Sequence, residues 1–346
     1  MKPSDFFLVH KFTFRALIAL CSVLIASILF PTSAHAIDPN VRIAVAYDLG
    51  GLGDGGVNDA TAIGINSVRK KYGLSNFALR EVVTVGSESD RRDRLNFLAK
   101  AGYNLVVVAG SAWSSALASV APDFPDIQFG IIGGNITGNV NVSVMTFNQL
   151  EESYIAGVLA ASSSTTKKIG YISNGADSAS SKSLAAFTAG ARKVKKSVQV
   201  LSAIVDSGAY SQTTQMVNAG ADIIYSRWNT NSDVYSAVLS QSTKYKKKIK
   251  LIGIVPDQYF LNFSAAKRIL LATINENYGI AISQLVTSAL NNQTITDVID
   301  EESGLFGRFF TIKNGGIAIK NFSASTQAIF AANKARSEII SGAIKL

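Results

Sequence analysis

The sequence predicts an α/β protein of two lobes, each a parallel sheet flanked by helices, with a hinge and a ligand cleft between them. Three observations predict it. Strand-like and helix-like segments alternate at the spacing of βαβ units. The alternation begins again at Asn148, with no low-complexity linker between the halves. A glycine-rich turn, Tyr47 to Asp59, follows the first apolar run at the strand end where open α/β sheets hold their ligands.

In chain order, Lys2, Lys11 and Arg15 precede an apolar run, Ala16 to Phe30. Pro31 breaks the run and Ala34-His35-Ala36 follows as a small-x-small cleavage site. Residues 1–36 read as a secretory signal peptide, and the run is short for a membrane span. Leu20 before Cys21 argues against a lipoprotein site. The leader carries three basic residues and Asp5, so the formal charge of +9 falls to +7 after cleavage. That mild charge is spread along the chain. The densest run, Lys244 to Lys250, reads as a solvated turn, so no nucleic-acid partner is expected.

Cleavage also removes the single Cys, Cys21, and both His residues, His10 and His35. The mature chain then has no thiol and no imidazole. This excludes Ser-His-Asp and Cys-His catalysis and any His- or Cys-ligated metal site.

Strands are expected at Val41–Tyr47, Ala78–Val85, Asn104–Ala109, Ile127–Ile132 and Val142–Thr146, with helices at Ala60–Lys71, Asp90–Ala101 and Ser114–Val120. The second round has helix Glu151–Ser162, then strands Lys168–Ser173, Val198–Val205, Ala221–Tyr225 and Ile249–Ile254. Helices Ser181–Lys193, Ser211–Ala219 and Val234–Thr243 lie between them. The tail reads as strand Ile269–Ile274, helix Tyr278–Leu290, strands Phe309–Ile312 and Gly316–Ile319, and helix Thr326–Ile340. Lobe one is expected to comprise residues 37–147 plus about 256–300. Lobe two takes 148–255 plus about 301–346.

The turn Gly51-Leu52-Gly53-Asp54-Gly55-Gly56 matches G-x-G-x-x-G, the dinucleotide fingerprint. Asp54 inside it would repel a pyrophosphate, and no acid ends the second strand to hold a ribose. Its acids lack the alternating spacing and terminal Glu of an EF-hand. Glycines for a tight turn, with Asn58 or Asp59 capping the helix, explain Asp59 but not Asp48 and Asp54.

These residues resemble the opening of the Bmp (basic membrane protein) family of ABC-transporter substrate-binding proteins, whose best understood members bind purine nucleosides. The family pattern D-x-G-G-x-x-D-x-S-F-N-D corresponds to Asp48 through Asp59. Thr146-Phe147 and Glu151 to Gly157 resemble T-F-x-x-x-E-x-S-Y-L-A-G, the most specific match. Ala121 to Ile131, Lys168 to Ile172, Gly220 to Ile224 and Asn314 to Ile319 resemble further segments, so the likeness covers essentially the whole mature chain. It implies a periplasmic-binding-protein fold.

The expected pocket departs from the family. Val57 stands for a stacking Phe, Ser115 for the Asp of D-A-L, and Val255 for the first Asp of G-V-D-x-D-Q. Glu276 falls where a ribose-binding Lys is expected. Losing one such contact costs roughly 1–3 kcal/mol. Trp228, on the loop Ser226 to Thr230, offers a replacement stacking surface, with Trp113 and Tyr210 as lesser candidates. Arg227 is read either as an anion fork or as a surface ion pair. Asp257 offers a replacement carboxylate. The resemblance thus implies ligand-binding positions at Asp48, Val57, Asn58, Ser115, Trp228, Asp257 and Glu276.

The implied function is capture of a small polar ligand, nucleoside-like or related, in the periplasm. An ABC permease and ATPase in the inner membrane are the implied partners, and the receptor is expected to be a monomer. No cofactor, metal or catalytic residue is assigned. A ligand sensor signalling to a membrane receptor is the alternative. A carboxylate-dependent nucleoside hydrolase rests on the acidic turn alone.

Overall fold

A computed structural model describes residues 41–49, 51–52, 56–175, 178–227, 232–246, 248–254 and 268–346. The predicted leader and Asp54, Trp228, Val255 and Asp257 lie outside the described residues.

The first half alternates as β1 (Ile43–Tyr47), α1 (Val57–Tyr72), β2 (Leu79–Val83), α2 (Glu88–Lys100), β3 (Leu105–Ala109), α3 (Ser114–Val120), β4 (Gln128–Ile132) and β5 (Val142–Phe147). Every residue of β1 and β3 is buried, as their unbroken apolar runs require of central parallel strands. The second half runs α4 (Gln149–Ser163), β6 (Lys168–Ser173), α5 (Ser178–Val194), β7 (Gln199–Ile204), α6 (Ala209–Asn218), β8 (Ile223–Arg227), α7 (Ser232–Tyr245), β9 (Lys250–Gly253) and β10 (Leu270–Glu276). The tail adds α8 (Tyr278–Leu290), β11 (Asp297–Asp300), β12 (Leu305–Phe310), β13 (Ile317–Asn321) and α9 (Thr326–Ile340).

Two sheets result. One has the order β11-β12-β5-β4-β3-β1-β2, the other β13-β10-β9-β8-β6-β7. Both are parallel except at one edge, where β11 runs against β12 and β13 against β10. The sheets are therefore mixed rather than wholly parallel.

The tail corrects the expected lobe boundaries. Strand β10 lies in the second sheet, although residues 256–300 were assigned to lobe one. Strand β12 lies in the first sheet, although residues 301–346 are expected in lobe two; β11, within 256–300, pairs with it in that sheet. The chain thus crosses between sheets three times among the described residues, after Phe147, after Glu276 and after Phe310. Each crossing leaves the carboxyl end of a parallel strand. The carboxyl edges of both sheets therefore meet at the crossings.

The crossings are laced together. Phe147 and Phe310 are register partners on β5 and β12, and their rings stack 5.1 Å apart. The Tyr278 ring stacks on Phe147 at 5.5 Å with 6° between planes. Asn148 N donates to Phe310 O at 2.8 Å, and Asn277 N donates to Gly316 O at 2.8 Å. Ile312 N donates to the buried Glu151 carboxylate at 2.7 Å. Aromatic stacking of this kind adds roughly 0.5–1.5 kcal/mol per pair beyond burial.

Lobe two is built on close helix contact. Glycines 157 and 190 bring α4 and α5 together backbone to backbone. Beneath them Tyr171, Phe187 and Tyr225 pack as an aromatic cluster, with Phe187 and Tyr225 stacked at 5.3 Å.

Candidate functional site at the meeting edges

On the lobe-one edge, Asp48 directly follows β1. Arg91 of α2 grips its carboxylate, with Nε to Oδ1 and Nη2 to Oδ2 both at 3.0 Å. Thr84 Oγ1 adds a longer donor at 3.4 Å. Asn58 is buried in the first turn of α1. Its Oδ1 accepts from Asp48 N at 3.1 Å, while its Nδ2 reaches the carbonyls of Asp48 and Leu49 at 3.4 and 3.5 Å. Asn58 therefore ties down the glycine-rich turn. Helix α1 starts at Val57 with Gly56 in the cap position, so the expected cap at Asn58 or Asp59 lies one or two residues inside the helix. Val57 is half-buried, with its Cγ1 3.9 Å from where a Cβ on Gly110, just past β3, would stand. Ser115 is exposed on α3.

On the lobe-two edge, strand alternation sets which residues share a face. Tyr171, Tyr225 and Ile274 cover one face of the sheet and belong to its apolar core. Two residues further along each strand stand Ser173, Arg227 and Glu276, so that face turns polar at its carboxyl edge. Ser173 and Arg227 are register partners. Glu152, from the first turn of α4, drops onto this row. Its carboxylate receives Arg227 Nη1 at 2.6 Å and the Tyr225 hydroxyl at 3.1 Å. The side chains are 9% exposed for Arg227 and 0% for Glu152. Arg227 is therefore a buried ion-pair partner, neither a surface pair nor a free anion fork.

The electrostatics follow from this crowding. Burial pushes the Glu152 carboxyl above its ordinary range, against the pull of Arg227 and Tyr225. Burial, then repulsion from Glu152, pushes Glu276 up to about 7, against the pull of Arg227 and a hydrogen bond with Tyr278. The two carboxyls and the guanidinium form one coupled set.

The structure thus brings Asp48, Val57 and Asn58 together in lobe one and places Glu276 beside a second cluster in lobe two. Trp113 is fully buried in the lobe-one core, and Tyr210 is exposed at the start of α6. Sequence reasoning did not single out Glu152 or Arg91, which the structure places in ion pairs at the two edges. The available signals were an acid inside an apolar helix and an arginine-rich helix start near the glycine turn. Among the described residues no group of three or more acidic, His or Cys side chains could hold a metal ion. No described helix is long and apolar enough to cross a membrane.

The profile of a family described as Bmp, ABC transporter substrate-binding protein PnrA-like, matches residues 41–345. A relative from Lactococcus lactis, named ABC transporter nucleoside-binding protein BmpA, is 25% identical over 328 residues, 88% of each chain. The transcriptional activator protein med of Bacillus subtilis is 25% identical over 226 residues, 64% of this chain and 68% of its own. Among solved structures, an ABC transporter solute-binding protein from Aeropyrum pernix aligns with a TM-score of 0.70 at 16% identity, covering 88% of this chain and 92% of that one. This last likeness speaks to the fold.

Proposed function

Because the chain belongs to the Bmp family of PnrA-like ABC-transporter substrate-binding proteins, we propose that it captures a small polar ligand between its lobes and delivers it to an ABC importer. One observation carries this reading. The carboxyl edges of both sheets meet at three laced crossings, where open α/β sheets bind ligands and where hinge closure acts. The predicted leader supports a periplasmic site of action. Lobe one would contribute Asp48, Val57, Asn58 and Ser115, and lobe two Glu276; Trp228 and Asp257, outside the described residues, are further candidates. The permease and its ATPase are the membrane partners. No step in this function breaks a bond, so no catalytic residue is needed.

The nucleoside named for the Lactococcus relative is the first ligand class to test. The experiment is a thermal-melt screen of the purified protein with purine and pyrimidine nucleosides. A ligand at a hundred times its dissociation constant stabilises by about 2.7 kcal/mol, a shift of several degrees. A shift with a nucleoside supports that class. If none shifts the wild type, restoring the family residues in Val57→Phe with Glu276→Lys should create nucleoside binding. Failure of that double variant would count against the alignment of Val57 and Glu276 with the family's pocket positions.

A second reading, a ligand sensor signalling to a membrane receptor, draws on the Bacillus subtilis relative named as a transcriptional activator. Genes for a permease and ATPase beside this one favour import. A receptor kinase gene favours sensing.

A further inference from the structure

We infer that the lobes turn on three single-residue pivots, Asn148, Asn277 and Thr311, and that the Asn314 side chain is the stop that sets the angle between them. The inference rests on the two-lobed binding-protein reading above and adds the device that holds its resting opening.

The first two crossings are each one residue long. Asn148 alone separates β5 from α4, and Asn277 alone separates β10 from α8. Their backbones are nearly alike, with φ −75° and ψ 89° at Asn148 and φ −84° and ψ 77° at Asn277. That is the inverse γ-turn region, which lies beside the broad extended basin. Each side chain caps the helix that follows. Asn148 Oδ1 accepts from Leu150 N at 3.1 Å and Glu151 N at 3.2 Å, and Asn277 Oδ1 accepts from Ile280 N at 3.2 Å. The flanking elements belong to opposite lobes. Helix α4 meets α5 in lobe two, at Gly157 and Gly190. Helix α8 packs on α1 in lobe one, where the Tyr72 and Thr287 hydroxyls lie 2.6 Å apart. A change of angle between the lobes is therefore taken up at Asn148 and Asn277, between stiff elements.

The third crossing, residues 311–316, is longer, and two side chains shorten it. Ile312 is 2% exposed and belongs to the lobe-two core. Its N–H donates to the Glu151 carboxylate of α4 at 2.7 Å. Lobe two therefore begins at Ile312, while Phe310 is still paired with Phe147 in the first sheet. Thr311 is the residue left between them. Asn314 reaches back across it. The Asn314 Oδ1 accepts from Thr311 N at 2.7 Å, and its Nδ2 donates to Phe309 O on β12 at 2.9 Å. Gly316 N donates to Thr311 O at 2.8 Å and closes the turn that carries Asn314. One carboxamide thus joins the lobe-two side of the pivot to a lobe-one strand. Rotation at Thr311 moves Asn314 relative to Phe309, so it breaks these bonds.

The stop acts on all three pivots. Asn148 N donates to Phe310 O, and Asn277 N donates to Gly316 O, both at 2.8 Å. The two ends of the third crossing are thereby tied to the other two pivots. An angle held at Thr311 is held at Asn148 and Asn277 as well.

The test measures the lobe angle without a ligand. The mature chain from Ile37 has no Cys, so two introduced cysteines take spin labels at defined places. Asp93 on α2 and Gln215 on α6 are exposed, one on each lobe. Double electron–electron resonance on the purified Asp93→Cys, Gln215→Cys protein reads the distance between them. A narrow distribution is expected. Asn314→Ala should widen it and move its mean. Asn314 is exposed, so its truncation empties no core site. Asn314→Asp keeps the acceptor for Thr311 N but loses the donor to Phe309 O, and should widen the distribution too. Glu151→Gln keeps an acceptor for Ile312 N and should preserve it. Lys313→Ala, at an exposed position of the same turn, should also preserve it. An unchanged distribution in both Asn314 variants overturns the inference, and so does equal widening in Lys313→Ala. Either result leaves the binding-protein reading in place, because no ligand enters the measurement. Failure of every compound in the melt screen counts against that reading and leaves the stop standing.

Discussion

Gly157 of α4 and Gly190 of α5 let two helices touch along their backbones. A Cβ on Gly157 would stand 2.0 Å from Phe187 O, and one on Gly190 would stand 2.1 Å from Tyr154 O. Alanine at either site favours an isolated helix by about 1 kcal/mol over glycine. Here the obstacle is backbone, which cannot rotate away, so the clash outweighs propensity. Gly157→Ala and Gly190→Ala should each lower stability, by roughly 1–3 kcal/mol. Urea denaturation midpoints measure this, and an unchanged midpoint in both variants would refute the close contact.

The Glu152–Arg227 pair predicts an asymmetry. Arg227→Met leaves a fully buried carboxylate without its cation, which costs about 3–5 kcal/mol. Removing both charges in Glu152→Gln with Arg227→Met should cost clearly less than Arg227→Met alone. Equal losses in the single and double variants would mean that the pair does not couple.

Glu276 predicts a pH dependence of folding. Its folded pKa, about 7, lies above the ordinary 4.5. Between those values the unfolded chain releases the proton and the folded protein retains it. The stabilising contribution is full below about pH 4.5 and is lost as pH rises through 7. Glu276→Gln should therefore melt close to wild type at pH 4.5 and above it at pH 8. The Tm difference between the two proteins as a function of pH measures this, and a flat difference would contradict it.

Asp48 and Arg91 predict a brace beside any ligand contact. Asp48→Ala and Arg91→Ala should each lower stability by about 1 kcal/mol, since both side chains keep some solvent contact, at 21% and 13%. The double variant should lose little more than either single. Additive losses would show that the two side chains act separately.

Gly307 predicts a local failure in β12. Its φ is +143°, and a Cβ there would stand 1.9 Å from Val144 O on β5. Gly307→Ala should disrupt the pairing of these strands, which flank two of the three crossings. Hydrogen exchange at the β5 and β12 amides should quicken in the variant, and unchanged protection would argue against the strain.

The same glycine explains part of what the sequence hid. A glycine inside Leu305–Phe310 weakens its strand pattern, so the strand was expected only at Phe309–Ile312 and β11 was not expected at all. Nothing local to residues 270–310 shows which sheet each strand joins. That is why the tail segments were exchanged between lobes.

By itself the sequence determined the alternation of strands and helices, the buried runs of β1 and β3, and the glycine turn after the first strand. These follow from side-chain periodicity and backbone freedom, which act between residues close in the chain. Tertiary structure alone decided that the sheets have antiparallel edges and that the chain crosses three times among the described residues. It also decided that Arg91 holds Asp48, and that Arg227, 75 positions away, holds Glu152, with burial raising the Glu276 carboxyl. Those outcomes depend on burial and on contacts between distant segments. Neither exists until the sheets have assembled.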